Sequence, residues 1–224
     1  MKILPNDVAV VEGDTLHAEW CKGGLIHDRW FADQLIAHLS VGDVVHEGGA
    51  NIGTLTRAML DHGCRVFAFE PNPPTLECLR HNCPDAASYG FGLGAFKQTV
   101  GFVHNTKNAG ASAVTDVRES HTSVKLVALD RMDLPPPKLI KLDIEGCELR
   151  ALHGARKTIA EHQPVIVLEI NQSALAAQGT SEDEVVTWLR NRGYSLTVIQ
   201  PDCKWGDPQF DVLAVPKDYI APTK

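Results

Sequence analysis

The 224-residue sequence has no surplus of positive charge: 21 Lys and Arg stand against 28 Asp and Glu, a net charge of −7. No basic run stands out either. Nucleic-acid binders normally present a positive field that displaces counterions from phosphates, so a nucleic-acid partner is not expected. Paired Cys-x-x-Cys spacing is also lacking among Cys21, Cys64, Cys78, Cys83, Cys147 and Cys203, which argues against structural zinc. Their mostly apolar neighbours suit reduced, buried thiols. No stretch approaches the roughly 20 apolar residues of a membrane span, and Met1-Lys2-Ile3-Leu4-Pro5 lacks the apolar segment of a signal peptide. Repeats and low-complexity segments are missing too. A cytoplasmic, soluble protein with no membrane partner is the expectation. What is present is 44% hydrophobic and 22% charged residues, enough apolar material for the core of one large domain.

Short β-rich runs alternate with helical patterns, the signature of a parallel sheet covered by helices on both faces. Val44-Val45-His46 enters a glycine cluster, and a helix is expected from Thr54 to His62, stopped by Gly63. Arg65–Phe69 reads as the next strand. Asn72 and Pro73 are placed to cap and begin a helix ending near Pro84. Ser88–Leu93 reads as a third strand, with Thr99–Val103 and Val124–Ala128 as an antiparallel addition or an extra edge. Lys138–Leu142 is a fourth strand, followed by a helix with Leu149, Leu152 and Ile159 on one face. The apolar run Pro164–Leu168 suits a strand buried on both faces. Ser181 to Glu184 forms a capping box. Ser195–Ile199 and Phe210–Val215 follow without an intervening helix, so they should pair antiparallel and reverse the final strand. Residues 1–40 read as an N-terminal extension or lid packed on the core, and 41–224 as the Rossmann-like domain.

The informative segment is Glu47-Gly48-Gly49-Ala50-Asn51-Ile52-Gly53. A strand runs into an acid, a glycine turn and a helix N-terminus, with Gly49 and Gly53 allowing the tight turn and close approach. Such a loop alone also suits a dinucleotide, of which Gly48-x-Ala50-x-x-Gly53 is a degraded fingerprint. Glu47 opposes a pyrophosphate by Coulomb repulsion and suits a cationic amino-acid group instead. Glu70 ends the next strand seventeen residues beyond Gly53, where an acid can accept hydrogen bonds from both ribose hydroxyls.

Glu47–Gly53, Phe67-Ala68-Phe69-Glu70-Pro71-Asn72 and Ile140-Lys141-Leu142-Asp143-Ile144-Glu145-Gly146-Cys147-Glu148-Leu149, with Leu152-His153-Gly154-Ala155 after them, resemble the signature blocks of the FkbM-type methyltransferase family. The resemblance runs from about Val41 to Ile170, and Val10–Asp14 and His27-Asp28 resemble the N-terminal portion of small members. Two positions depart from the pattern: the family usually has Asp where Glu47 stands and a β-branched residue in place of Gly48. The resemblance implies a Rossmann-like class I methyltransferase fold, S-adenosylmethionine as cofactor, and methyl transfer, commonly to an oxygen of a sugar or secondary metabolite. It implies a cofactor site of Glu47, Gly49, Asn51, Gly53, Glu70, Pro71, Asn72 and Asp143.

In open α/β sheets ligands lie beyond the carboxyl ends of the strands, so the acids there are the catalytic candidates. Asp143 and Glu145 follow the fourth strand and Glu169 ends the fifth. Converging carboxylates can raise one another's pKa and yield a base, or bind a divalent metal; no ligand spacing calls for a metal. Glu145 equally suits the start of a helix, where the dipole favours an acid. Lys141 reads as a partner for an acid. His27 is a candidate general base in the N-terminal extension, beside Asp28 as a helix cap. His46 and His153 read as structural. The leading expectation is O-methylation of a small-molecule or glycan hydroxyl. N-methylation and a non-catalytic cofactor-binding domain stand beside it. A nicotinamide-dependent oxidoreductase fits less well, since a Tyr-x-x-x-Lys proton donor is lacking. The acceptor and the oligomeric state are not written in the sequence.

Overall fold

The computed structural model describes residues 1–26, 28–105, 107–115, 120 and 122–222. The chain opens with the short antiparallel pair β1 (Lys2–Ile3) and β2 (Ala9–Val10), followed by helices α1 (Thr15–Trp20) and α2 (Arg29–Ile36). Strand and helix then alternate: β3 (Val44–Gly48), α3 (Thr54–Asp61), β4 (Arg65–Phe69), α4 (Pro73–Asn82) and β5 (Ala87–Tyr89). An inserted region carries β6 (Gly92–Leu93), β7 (Gln98–Val103), β8 (Ala113–Thr115) and β9 (Thr122–Val127). The alternation resumes with β10 (Leu139–Leu142), α5 (Glu148–Gly154), α6 (Arg156–His162), β11 (Val165–Asn171), α7 (Gln172–Ala177) and α8 (Glu182–Arg190). It ends on β12 (Tyr194–Val198) and β13 (Gln209–Pro216).

Seven strands form one sheet in the order β12-β13-β11-β10-β3-β4-β5. Only β13 runs against the others, pairing antiparallel with both β11 and β12. The reversed final strand expected from the missing helix is therefore present. One face of the sheet packs Val45, Val66 and Val167 against Leu35 of α2, Met59 of α3 and Leu79 of α4. The other packs Ile140, Leu142 and Leu168 against Leu152 of α5, Ile159 of α6 and Leu189 of α8. Strands buried on both faces explain why these segments read as continuous apolar runs.

Three local expectations need correction. Ser88–Leu93 is two strands in two sheets: β5 ends at Tyr89, and β6 joins a four-stranded sheet in the order β6-β9-β7-β8. The bend between them folds Phe91 back onto Phe69 and Tyr89, with ring centroids 5.9 and 5.5 Å apart, which a straight strand would not permit. The helix after Asp143 is likewise two helices. Asp130 inserts at the start of α6 and accepts from the Lys157 and Thr158 N–H groups (both 2.9 Å), capping a new helix where the first would have continued. Asn72 precedes α4 as expected, but its amide does not cap the helix. It donates instead to Thr75 Oγ1 (2.7 Å) and His104 Nδ1 (2.8 Å). The capping residues Asp28 and Ser181 do accept from the expected backbone N–H groups.

The N-terminal segment packs Val8, Ala9 and Val10 against Ile52 and Cys78. Asn82 fixes it there, accepting from the Ala9 N–H (2.7 Å) and donating to the Ala9 and Ile52 carbonyls (2.9 and 2.7 Å). On the far side of the sheet, α5 touches the inserted sheet so closely that a Cβ on Gly154 would lie 2.0 Å from the Gly94 carbonyl oxygen. Backbone cannot yield there as a side chain would. Gly154→Ala is expected to destabilise the fold by about 1–3 kcal/mol; urea denaturation followed by circular dichroism measures this, and an unchanged midpoint would show that the contact gives way.

Candidate active site

Sheet register places the site. Ala68, Glu47, Lys141, Val167 and Leu213 stand opposite one another on adjacent strands and so share one face. Two positions nearer the carboxyl edge on each strand, which on the reversed β13 means two residues earlier, come Glu70, Gly49, Asp143, Glu169 and Asp211, with Glu169 directly opposite Asp211. A row of acids therefore crosses the carboxyl edge of the sheet, broken by a glycine. Beneath it lies Lys141, only 3% exposed. Its ammonium donates to the Gly49 carbonyl (3.1 Å) and to Asp143 Oδ2 (3.2 Å). Burial works against that charge, but Asp143 and Glu47 outweigh it and raise the Lys141 pKa.

Two cavities open above the row. A narrow, mostly apolar slot is bounded by Gly49, Glu70, Pro71, Ile144 and, from the inserted sheet, Phe102, Val114 and Leu126. Beside it lies a cleft of about 740 Å³. Its walls hold Trp20, Trp30 and Phe31 from the N-terminal segment, Asn171, Gln200 and Gln209 from the far strands, and the carboxylates Asp28, Asp143, Glu145, Glu169, Asp202 and Asp211. No Lys or Arg occurs among the described residues of that lining. Four residues border both cavities and mark their junction: Asn51, Gly110, Asp143 and Glu145.

Glu70 Oε2 accepts from the Asn51 N–H (3.0 Å) and Oε1 from the Asn72 N–H (2.9 Å). One lone pair on each oxygen is left over, and Glu70 borders the slot. Burial pushes the Glu70 carboxyl up to about 7 against these two bonds. A pair of donors such as a ribose diol would satisfy it and hold it ionised. Asn51 takes a left-handed conformation (φ 51°) and its Oδ1 is buried with no partner among the described residues.

Glu145 is also left-handed (φ 51°), a conformation that costs a non-glycine residue on the order of 1–3 kcal/mol. Glu148 holds it, accepting from the Ile144 N–H (3.0 Å) and the Gly146 N–H (3.3 Å) on either side. Burial and the Asp143 charge raise the Glu145 carboxyl to about 7. Burial and the neighbouring acids lift Glu169 to about 8 and Asp211 to about 7. Gln209 donates to Glu169 (2.6 Å), and Gln200 donates to Asp211.

The remaining sequence candidates sit elsewhere. Glu47 is wholly enclosed and borders neither cavity; Thr56 Oγ1 donates to its Oε2 (2.6 Å), so its influence on the cleft runs through Lys141. Gly49 (φ 74°) lies where a Cβ would fall 1.8 Å from the Asp143 carbonyl oxygen, and at Gly53 (φ 97°) a Cβ would meet Cys83 Sγ at 2.6 Å. Gly53 thus serves the packing of α3 on α4. Pro71 borders the slot, whereas Asn72 stands behind it. His27 lies outside the described residues. His46 is buried against Phe67 and pushed down to about 4 by burial, as a structural histidine. Sequence reasoning missed Asp211, Asp14 and His17. Asp211 becomes legible only when its strand is paired with β11, and His17 only when the N-terminal segment is folded over the glycine loop. Among the described residues no group of three His, Cys, Asp or Glu side chains is placed to hold a metal ion, and no helix is long and apolar enough to cross a membrane.

A seven-stranded sheet with one reversed strand, a glycine loop after its central strand and an acid after the neighbouring one define a class I methyltransferase fold. Solved structures share it. The FkbM methyltransferase of Methylobacillus flagellatus KT superposes with a TM-score of 0.56 at 20% identity, over 79% of this chain and 44% of that one. Magnesium protoporphyrin IX methyltransferase of Synechocystis PCC 6803, solved with S-adenosylmethionine bound, gives 0.50 at 11% identity over 90% and 84%. The methyltransferase FkbM domain matches residues 47–196, and the chain belongs to that family. A hexuronic acid methyltransferase of Haloferax volcanii, AglP, is 29% identical over 147 residues, which is 59% of this chain and 58% of that protein.

Raised carboxyls set the pH dependence of stability. Each takes up a proton more readily when folded than when unfolded, where the value is near 4, so its contribution grows as pH falls through 8 to 7. His46 opposes this only below about 6.5, where the unfolded ring begins to charge. The melting temperature is expected to be higher at pH 6.5 than at pH 8.5, and Glu169→Gln with Asp211→Asn to flatten that difference. A calorimetric melt at each pH decides it; stability rising toward pH 8.5 would contradict the acid row.

Proposed function

We propose that this domain transfers the methyl group of S-adenosylmethionine to a hydroxyl of a sugar or glycoside, with the nucleoside in the slot and the acceptor in the cleft. The single observation that carries this reading is the junction: Asn51, Gly110, Asp143 and Glu145 border both cavities. The bound cofactor supplies an electrophilic methyl on a sulfonium. The protein's part is to align the acceptor oxygen with it, exclude water and accept one proton. Glu70 holds the ribose, with Pro71 and Gly49 beside it, while Glu47, Gly53 and Asn72 shape the loops from behind. Asp143, tied to Lys141, borders the junction and offers the cation a carboxylate. Glu145, raised toward neutrality and strained into position, takes the hydroxyl proton.

The cleft also bears on the acceptor. Trp20 and Trp30 are 46% and 41% exposed, giving flat apolar faces, and side-chain amides and carboxylates alternate around them. Such a lining suits the CH faces and hydroxyls of a pyranose. Without a cation in the described lining, it disfavours acceptors bearing a carboxylate or phosphate, and so sets this chain apart from a relative acting on hexuronic acid. It disfavours nucleic acid for the same reason. Residues 1–40 are then a lid-like addition to the core of residues 41–224. Six free cysteines, five of them buried, fit a reducing, cytoplasmic setting.

Calorimetric titration with S-adenosylhomocysteine, in parallel with NADH, tests the cofactor. Glu70→Ala is expected to weaken the homocysteine ligand tenfold to about a hundredfold, the worth of charged hydrogen bonds to a diol, with no response to NADH from either protein. Binding of NADH alone would sink the reading. Asp143→Asn and Glu145→Gln are expected to leave nucleoside binding within a few-fold and reduce turnover on a neutral glycoside by about a hundredfold or more; turnover equal to wild type would remove these residues from the chemistry.

A further inference from the structure

Two buried groups that the transfer scheme does not use meet the site at Asn51. Asp14 and His17 are each 3% exposed. Asp14 Oδ1 accepts from the His17 backbone N–H (2.9 Å), while Oδ2 accepts from the Ala109 N–H (2.8 Å) and lies 2.7 Å from His17 Nδ1. Trp20 closes on the imidazole edge-to-face at 5.5 Å. An ionised carboxylate can only accept, so Nδ1 carries the hydrogen. In the neutral ring Nε2 is then an acceptor, and it lies 3.0 Å from Asn51 Nδ2. With Nε2 accepting, the Asn51 NH2 faces His17, and its Oδ1 is buried without a partner among the described residues.

We propose that Asp14 and His17 form a positioning pair that fixes the Asn51 amide so that its Oδ1 receives the ammonium group at the amino-acid end of the cofactor. This rests on the slot holding the nucleoside. With the ribose on Glu70, whose Oε2 takes the Asn51 N–H at 3.0 Å, the 5′ substituent leaves the slot through the junction that Asn51 borders. The ammonium is that substituent's only strong donor, and a buried carboxamide oxygen without a partner is its natural acceptor. An unfixed amide would have to be oriented by the ligand itself, at a cost in affinity.

The pair predicts a selective loss. S-adenosylhomocysteine carries the ammonium, and methylthioadenosine has the same nucleoside and sulfur without it. In calorimetric titrations of the full chain, His17→Phe is expected to weaken S-adenosylhomocysteine at least tenfold and methylthioadenosine less than twofold. His17→Gln, whose carboxamide oxygen can still accept from Asn51, is expected to recover most of the loss. Asn51→Leu should show the same selective loss, and adding His17→Phe to it should change nothing more. Equal weakening of both ligands, unchanged S-adenosylhomocysteine affinity, or additive losses in the double variant would overturn the pair. Failure of the wild-type chain to bind either nucleoside would overturn the cofactor reading together with it.

Discussion

Everything at the carboxyl edge of the sheet depends on one buried ammonium. Lys141 sits beneath the acid row with its Nζ on the Gly49 carbonyl and on Asp143, so one cation ties the glycine loop of β3 to the end of β10. Without it, Glu47 and Asp143 would be uncompensated acids on neighbouring strands, and burial would force protons onto them. Even with it, burial lifts Glu47 to about 7, and burial and the neighbouring acids lift Glu145, Glu169 and Asp211 toward neutrality. The site thus sets one buried positive charge beneath a row of acids that burial holds near neutrality.

The fold was legible because its signals are local. Alternating runs announced the parallel strands, and the missing helix before the final strand announced its reversal. The Ser181 and Asp28 caps were readable for the same reason. What escaped was set by contacts distant in sequence. Asp130 caps a second helix through the N–H of Lys157, 27 residues away, and Phe91 bends its strand to reach Phe69. The site divides along the same line. Glu70, Asp143 and Glu145 lie on motif segments, and all three border the slot. Asp211 and His17 lie outside every motif, and only strand pairing or packing carries them to the cleft. Glu47 is the converse case: it stands on a motif segment, yet it is wholly enclosed and borders neither cavity.

The inserted sheet and the N-terminal segment divide the remaining work. The former walls the slot with Phe102, Val114 and Leu126, and the latter walls the cleft with Trp20, Trp30 and Phe31. They touch where Asp14 accepts from the Ala109 N–H. Neither belongs to the alternating sheet-and-helix plan, so the scaffold supplies the charged floor, and additions of independent origin in the chain supply the walls.

That contact has a consequence for how the molecule is made. The anchors of the Val8–Asp14 stretch are made well after the stretch itself: Ala9 waits for Asn82, 73 residues on, and Asp14 waits for Ala109, 95 residues on. Until then the apolar Val8–Val11 stretch has no surface to cover it and is open to chaperones or to other nascent chains. Synthesis at roughly 5–20 residues per second turns those spacings into several seconds of waiting. The stretch is therefore made before both of its anchors and finds its place only after them.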